Sequence, residues 1–157
     1  TQNLTIEVFE DSAKDGSVIN LVRVPVKLAS LATMTIKTYF SFKDTDAACT
    51  QVRVINRTVL KTQEPAYISL VELLKGLSVK EQESYSNNIP ANVRINSLIV
   101  RGTTAYADFD ETLQMEVAGS CRVTAIRAQI TETLKQFSSI KDVVISINGH
   151  TDDILQP

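Results

Sequence analysis

The stretch 118–137, AGSCRVTAIRAQITETLKQF, decides the class of fold. A glycine and a serine introduce it, with Ser120 placed to cap a helix. Val123, Ile126, Ile130, Leu134 and Phe137 then recur at steps of three, four, four and three, which draws one apolar stripe along a helix. A helix with a single stripe must bury it against a second layer. The segment that follows, KDVVISINGH at 141–150, runs apolar residues together and reads as a strand in a central position, covered on both faces.

Upstream of this pair come further strands and one more helix, with no clean internal repeat of residues. VRINSLIV (93–100) and TAYADF (104–109) flank Arg101-Gly102, a short turn signal. DETLQMEVAG (110–119) has no period and is expected to be irregular. KTQEPAYISLVELLKG (61–76) reads as a second helix. Thr62 can cap it, Glu64 and Pro65 suit its first turn, and Gly76 suits its end. Ala66, Leu70, Leu73 and Leu74 give it an apolar face. SVKEQESYSNNIP (78–90) is polar, one helical turn and then a loop. MTIKTYF (34–40) alternates as a half-buried strand, KDTDAACT (43–50) is a polar loop, and QVRVINRTVL (51–60) is a second strand. The tail TDDILQP has no clear pattern. The order is strand, strand, helix, strand, strand, helix, strand. It predicts an α/β (α+β) two-layer sandwich, a mixed sheet of about five strands with two main helices on one face.

Residues 1–30 read separately, as an N-terminal β-hairpin before a main domain at 34–157. NLTIEVFE alternates Leu4, Ile6 and Val8, DSAKDGS is turn chemistry centred on Asp15-Gly16, and VINLVRVPVKL returns as a strand. Pro25 places that strand at an edge or a break. ASLAT at 29–33 is a linker. The chain opens at Thr1 within a strand-like stretch and shows no charged-then-apolar leader there, which reads as a fragment or a processed form.

Composition narrows the functions. Of 157 residues 43% are hydrophobic and 22% charged, so the chain can build a core. Sixteen basic against eighteen acidic residues leave a net charge of −2, and the basic ones are scattered, which argues against a nucleic-acid partner. No apolar run reaches membrane-spanning length. Two cysteines, Cys49 and Cys121, and the single His150 are too few for a zinc site. Three readings of the thiols stand open: a crosslink, which an even count outside the cytosol favours; two buried thiols; and a Cys121–His150 nucleophile, which nothing in the sequence assembles.

Other constellations have plain alternatives. Asp108, Asp110 and Glu111 lack the ligand spacing and glycine bend of a calcium loop and read as a solvated strand end, as do Asp44 with Asp46 and Asp152 with Asp153. Arg57, set among apolar strand residues, is a candidate for a structural ion pair with Asp108. Tyr39, Tyr67, Tyr85 and Tyr106 lie in different elements and read as core-edge packing. Phosphate-binding and nucleophile-elbow motifs are absent from the sequence. No catalytic, metal or cofactor-binding residue is nominated, and no cofactor is expected.

YF at 39–40, VINRTV at 54–59, SLVELLKG at 69–76, NNIP at 87–90, INSLIVRGTTAYADFDE at 95–111 and TETLKQFSSIKDVVISING at 131–149 together resemble the GerMN domain, named from bacterial sporulation and spore germination proteins. The resemblance covers about residues 34–150, and departs at Leu77, where many relatives follow the helix-ending glycine with proline. Residues 3–28 resemble the last two strands of the immunoglobulin-like domain that often accompanies GerMN domains. The resemblance implies an extracytoplasmic, non-enzymatic envelope domain, commonly on a lipoprotein. In that compartment Cys49 and Cys121 are expected to form a disulfide. The implied partners are other envelope proteins or copies of the chain, with cell-wall contact, and with any membrane anchor lying outside this chain. Two rival readings are a filament or oligomer built by N-terminal strand addition, and a module for cell-wall glycan or a small ligand.

Overall fold

The computed structural model describes residues 3–9, 21–27, 31–43 and 49–156. The chain divides into two compact units, Thr1–Ala32 and Thr33–Pro157. In the first, β1 (Asn3–Phe9) and β2 (Leu21–Lys27) form an antiparallel pair whose register aligns Leu4, Ile6 and Val8 with Val26, Val24 and Val22. The expected turn at 11–17, the beginning of the 29–33 linker and the carboxylates Asp44 and Asp46 lie outside the described residues.

The second unit is the α+β sandwich. Its elements are β3 (Thr33–Phe42), β4 (Val52–Leu60), α1 (Pro65–Leu74), β5 (Tyr85–Ser86), β6 (Ile95–Arg101), β7 (Thr104–Phe109), α2 (Ser120–Lys135) and β8 (Asp142–Ile147), with single 3-10 turns at Glu81–Glu83 and Glu111–Gln114. Local chemistry explains the helix ends. Glu64, not Thr62, takes the cap position of α1, with Thr62 Oγ1 accepting from the Glu64 N–H at 3.1 Å just before the helix; Pro65 opens α1, and Gly76 closes it at φ 77°, a left-handed conformation that side chains resist. α2 begins one residue earlier than expected. Gly119, at φ 88°, takes the cap position and Ser120 is already helical.

The strands are distributed over two three-stranded sheets, β4-β3-β5 and β6-β7-β8, where the sequence suggested one sheet. α2 supplies the reason. Beyond the short β5, the second edge of β3 is occupied by side chains of α2. The Gln136 amide accepts from the Lys37 N–H (2.8 Å) and donates to the Lys37 carbonyl (2.7 Å). Thr133 Oγ1 accepts from the Tyr39 N–H (3.2 Å), and Gln129 Nε2 donates to the Tyr39 carbonyl (3.3 Å). Gln129 and Thr133 are fully buried, so these bonds are made away from water, where unpaired polar groups are costly. A helix thus does the hydrogen bonding that a full-length neighbouring strand would otherwise do, and on that side of β3 the sheet goes no further than the short β5.

One core joins both sheets and both helices: Phe40 from β3, Leu70 and Leu73 from α1, Ala105, Ala107 and Phe109 from β7, Val123, Ile126, Ile130 and Leu134 from α2, and Ile145 and Ile147 from β8. Three details differ from expectation. β8 runs parallel to β7 and lies at the end of its sheet, with β7 in the centre. Only one face of β8 meets the core: Ile145 and Ile147 are buried there and Val143 packs partly buried beside them, while Val144 on the opposite face is half-buried, and the unbroken apolar run overstated its cover. The irregular segment before α2 makes a 3-10 turn that fully buries Leu113. The patternless tail buries Ile154 and Leu155.

Candidate functional site

Cys49 stands just before β4 and Cys121 is the second residue of α2. They are joined by a disulfide with Cα atoms 5.0 Å apart across a sequence separation of 72. While the bond stands, Cys121 has no thiolate to offer as a nucleophile. His150 belongs to another cluster. It is exposed in the turn after β8, where its N–H donates to the Ile147 carbonyl at 3.0 Å.

Beside the disulfide, the first residues of β4 and the outward side of α2 enclose an open groove of about 540 Å³. Tyr39, Val52, Arg53, Arg127 and Glu132 contribute to its lining. Both arginines are engaged. Arg53 lies over the Phe42 ring at 5.0 Å, and Arg127 Nη2 donates to the Ile154 carbonyl at 3.0 Å. The groove offers mixed polar and apolar contact, and among the described residues Glu132 is the single carboxylate of its lining.

Arg57 does form an ion pair, with Glu81 and not with Asp108. Its guanidinium binds the Glu81 carboxylate through both Nη atoms, the Nη2–Oε2 bond being 2.9 Å, and Nη2 also donates to the Gly76 carbonyl at 3.1 Å. Glu81 Oε2 accepts further bonds from the Ser78 N–H and Oγ, both 2.8 Å. The Arg57 bond leads in lowering the Glu81 pKa to about 2, with burial opposing and Ser78 assisting. The reason for the correction lies in register. Arg57 opposes Ile36 on β3, on the side of that strand that faces the helices, and the segment after α1 supplies the acid there. Asp108 sits in the other sheet. The signal for Glu81 was present in the sequence: Ser78-Val-Lys-Glu81 has the S-x-x-E form of a capping box, in which serine and glutamate bond reciprocally.

Asp108 instead organises the end of the second sheet. Its Oδ1 accepts from Ser146 Oγ (2.6 Å) and the Gly149 N–H (2.8 Å), and its Oδ2 from Asn96 Nδ2 (3.0 Å). Burial alone would raise its pKa, but these donors outweigh it and hold the carboxyl below its ordinary value. Asn148 Nδ2 donates to Glu111 at 2.9 Å, which lowers that carboxyl too. Asp110 accepts from the Arg94 N–H and the Thr112 hydroxyl, both at 3.1 Å. The three carboxylates of this run therefore serve three separate sets of donors, and the arrangement braces the turn at Asn148 (φ 48°) and Gly149 (φ 81°).

The four tyrosines are dispersed. Tyr39 lines the groove, Tyr67 lies on α1, Tyr85 packs edge-on against Phe42 with centroids 5.5 Å apart, and Tyr106 is exposed on the outer face of β7 under Arg101. Among the described residues no helix is long and apolar enough to cross a membrane.

The polar clusters brace turns and helix ends, and comparison with known proteins finds a matching family and similar solved structures. The family model described as Germane, sporulation and spore germination, matches residues 37–153. The tandem GerMN domains of the sporulation protein GerM from Bacillus subtilis are similar at 25% identity and a TM-score of 0.62, over 80% of this chain and 43% of that one. The first GerMN domain of the same protein is similar at 26% identity and a TM-score of 0.53, over 74% of this chain and 85% of that one. The chain thus spans less than half of the tandem structure it resembles. A search among curated proteins finds no match.

Proposed function

The chain belongs to the Germane family of sporulation and spore germination domains, and from this premise we propose that it is a non-catalytic contact domain on the extracytoplasmic side of a bacterial cell envelope, on a GerMN-type lipoprotein or anchored protein. The Cys49–Cys121 bond carries the reading. Such bonds persist in oxidising compartments and are rare in the cytosol. It engages the thiols that a cysteine enzyme would need, and the carboxylates of Glu81 and Asp108 are engaged in bracing loops. The exposed sheet edges and the groove beside α2 are the surfaces left for partners, which are other envelope proteins or further copies. The same reading assigns residues 1–30 to the end of an immunoglobulin-like domain and 34–157 to the GerMN-like domain.

The test is made in intact cells of the native host. A Thr151→Cys variant, exposed at that position, is treated with a membrane-impermeant maleimide, and photocrosslinking residues are placed in the groove and along β4 and β6. Labelling without lysis, together with discrete covalent adducts, supports the proposal. Labelling only after lysis overturns the compartment, and a chain that crosslinks to nothing overturns the contact role. The runner-up is assembly by N-terminal strand addition. It is favoured by β1 and β2 pairing only with each other among the described residues, since a two-stranded sheet is marginal alone in water. Deleting residues 1–30 would abolish such assembly.

A further inference from the structure

β6 has the sequence of a central strand in the position of an edge strand. Its run Leu98-Ile99-Val100 is apolar on both faces, yet among the described residues only β7 pairs with it. The cost is visible. Ile99 is 46% and Val100 45% exposed, and Tyr106, opposite Ile99 on β7, is 42% exposed. On the inner face Leu98 and Val100 border an apolar groove with Ala66, Tyr67 and Phe137 that α1 leaves uncovered. Native edges are usually guarded by charge, proline or bulges. The irregularity of β6 lies between Ile95 and Ser97, so the apolar run itself is unguarded.

We propose that β6 pairs antiparallel with β6 of a second copy of this chain, making a two-fold dimer with one continuous sheet across the seam. The register follows from the hairpin. Arg101 and Thr104 flank a two-residue turn, so the pairs at Arg101 and Ile99 bond inward to β7, and the N–H and C=O groups of Leu98 and Val100 face outward. Leu98 then opposes Val100 of the second copy and Val100 its Leu98, exchanging about four hydrogen bonds. The two Ile99 side chains meet on the two-fold axis, between the two Tyr106 rings. Charge agrees with this register and no other near it. Arg101, on the same outer face over the Tyr106 ring, comes opposite the small Ser97 of the second copy, whose partner on β7 is Asp108. Each end of the seam thus sets an arginine toward a carboxylate. The self-complementarity is what a two-fold interface requires.

This narrows the contact role proposed above to one strand and one partner, and its test is separate. Sedimentation equilibrium of the whole chain is expected to show a reversible dimer. Ile99→Lys is expected to be monomeric with unchanged far-UV circular dichroism, and Arg101→Glu to raise the dissociation constant about tenfold. In mild oxidant, Ile99→Cys should give a covalent dimer, while Val54→Cys, equally exposed on the edge strand β4, should not. Deleting residues 1–30 should leave the dimer intact. A monomeric wild-type chain at millimolar concentration, crosslinking through Val54→Cys instead, or a dimer untouched by Ile99→Lys would overturn the proposal. None of these results bears on which compartment the chain occupies or on heterologous partners.

Discussion

A single carboxylate, Glu81, holds three parts of the sandwich in register. It gathers β4 through Arg57, the end of α1 through the shared Gly76 carbonyl, and its own turn through Ser78. The pair is partly exposed, with side-chain exposures of 19% and 20%, so Glu81→Gln is expected to cost about 1 kcal/mol at pH 7, the upper range for an accessible pair. The pH dependence has a defined sign. The unfolded glutamate titrates near 4.5 and the folded one near 2, so between these values the unfolded chain binds the extra proton. The contribution is whole above pH 4.5, declines as pH falls toward 2, and is gone below. Denaturant midpoints measured from pH 6 to 2 should therefore fall more steeply in the wild type than in Glu81→Gln. Equal slopes would mean the pair is not what lowers this pKa. At this scale the sequence was half legible. Arg57, a charge among apolar strand residues, announced that it needed an acid. Asp108 lies in the other sheet, while the S-x-x-E at 78–81 identified the glutamate already committed to a turn in the right place.

At the scale of elements, α2 has two jobs that its sequence states with unequal clarity. The aliphatic stripe from Val123 to Leu134 is visible because burial of oil follows the helical period. The second stripe, Gln129, Thr133 and Gln136, has nearly the same period but reads as solvated surface, since polar side chains are usually outside. Only the neighbouring backbone reveals that these side chains replace a strand, which is why the division into two sheets could not be read from the chain alone. Gln129→Leu keeps volume and helix propensity but leaves the Asn88 N–H and the Tyr39 carbonyl without this partner. It should destabilise by about 2 kcal/mol or more, because orphaned buried groups bear their full desolvation cost. A Gln129→Glu variant should be worse at neutral pH and recover on acidification. Denaturant unfolding of both variants checks this, and a neutral effect of Gln129→Leu would show that water enters the site. The start of α2 is held by Cys121. Closing a loop of 72 residues is worth at most roughly 4 kcal/mol in the chain-entropy model, so reduction, or Cys49→Ser with Cys121→Ser, should lower the melting temperature and leave the fold intact.

Thr33–Pro157 is a compact unit of its own, and among the described residues its core runs from Ile36 to Leu155. That distribution predicts that a fragment of residues 33–157 folds and unfolds cooperatively by itself. Coincident transitions by fluorescence and circular dichroism would show this, whereas a molten fragment would place part of the stabilisation in residues 1–32. The far end of the same fragment should be much less tolerant. Residues 151–156 contain no regular element, and Asp153 and Leu155 adopt positive φ of 56° and 48°, which side chains enter only when the surroundings compel them. The compulsion is the core. Ile154 and Leu155 are 4% and 3% exposed, Arg127 of α2 binds the Ile154 carbonyl, and Gln114 receives the Leu155 N–H at 3.4 Å. The tail thus closes the lower side of α2 as the disulfide closes its beginning. Removing residues 152–157 deletes two buried aliphatic side chains, each worth about 2 kcal/mol or more, from a domain whose total stability is expected to be about 5–15 kcal/mol. Truncation after Thr151 should therefore leave a protein near its unfolding threshold at 37 °C. The double substitution Ile154→Ala with Leu155→Ala should reproduce most of that loss with the backbone present. If the truncated chain instead unfolds at the wild-type denaturant midpoint, the tail is a passenger, and the core must close without it.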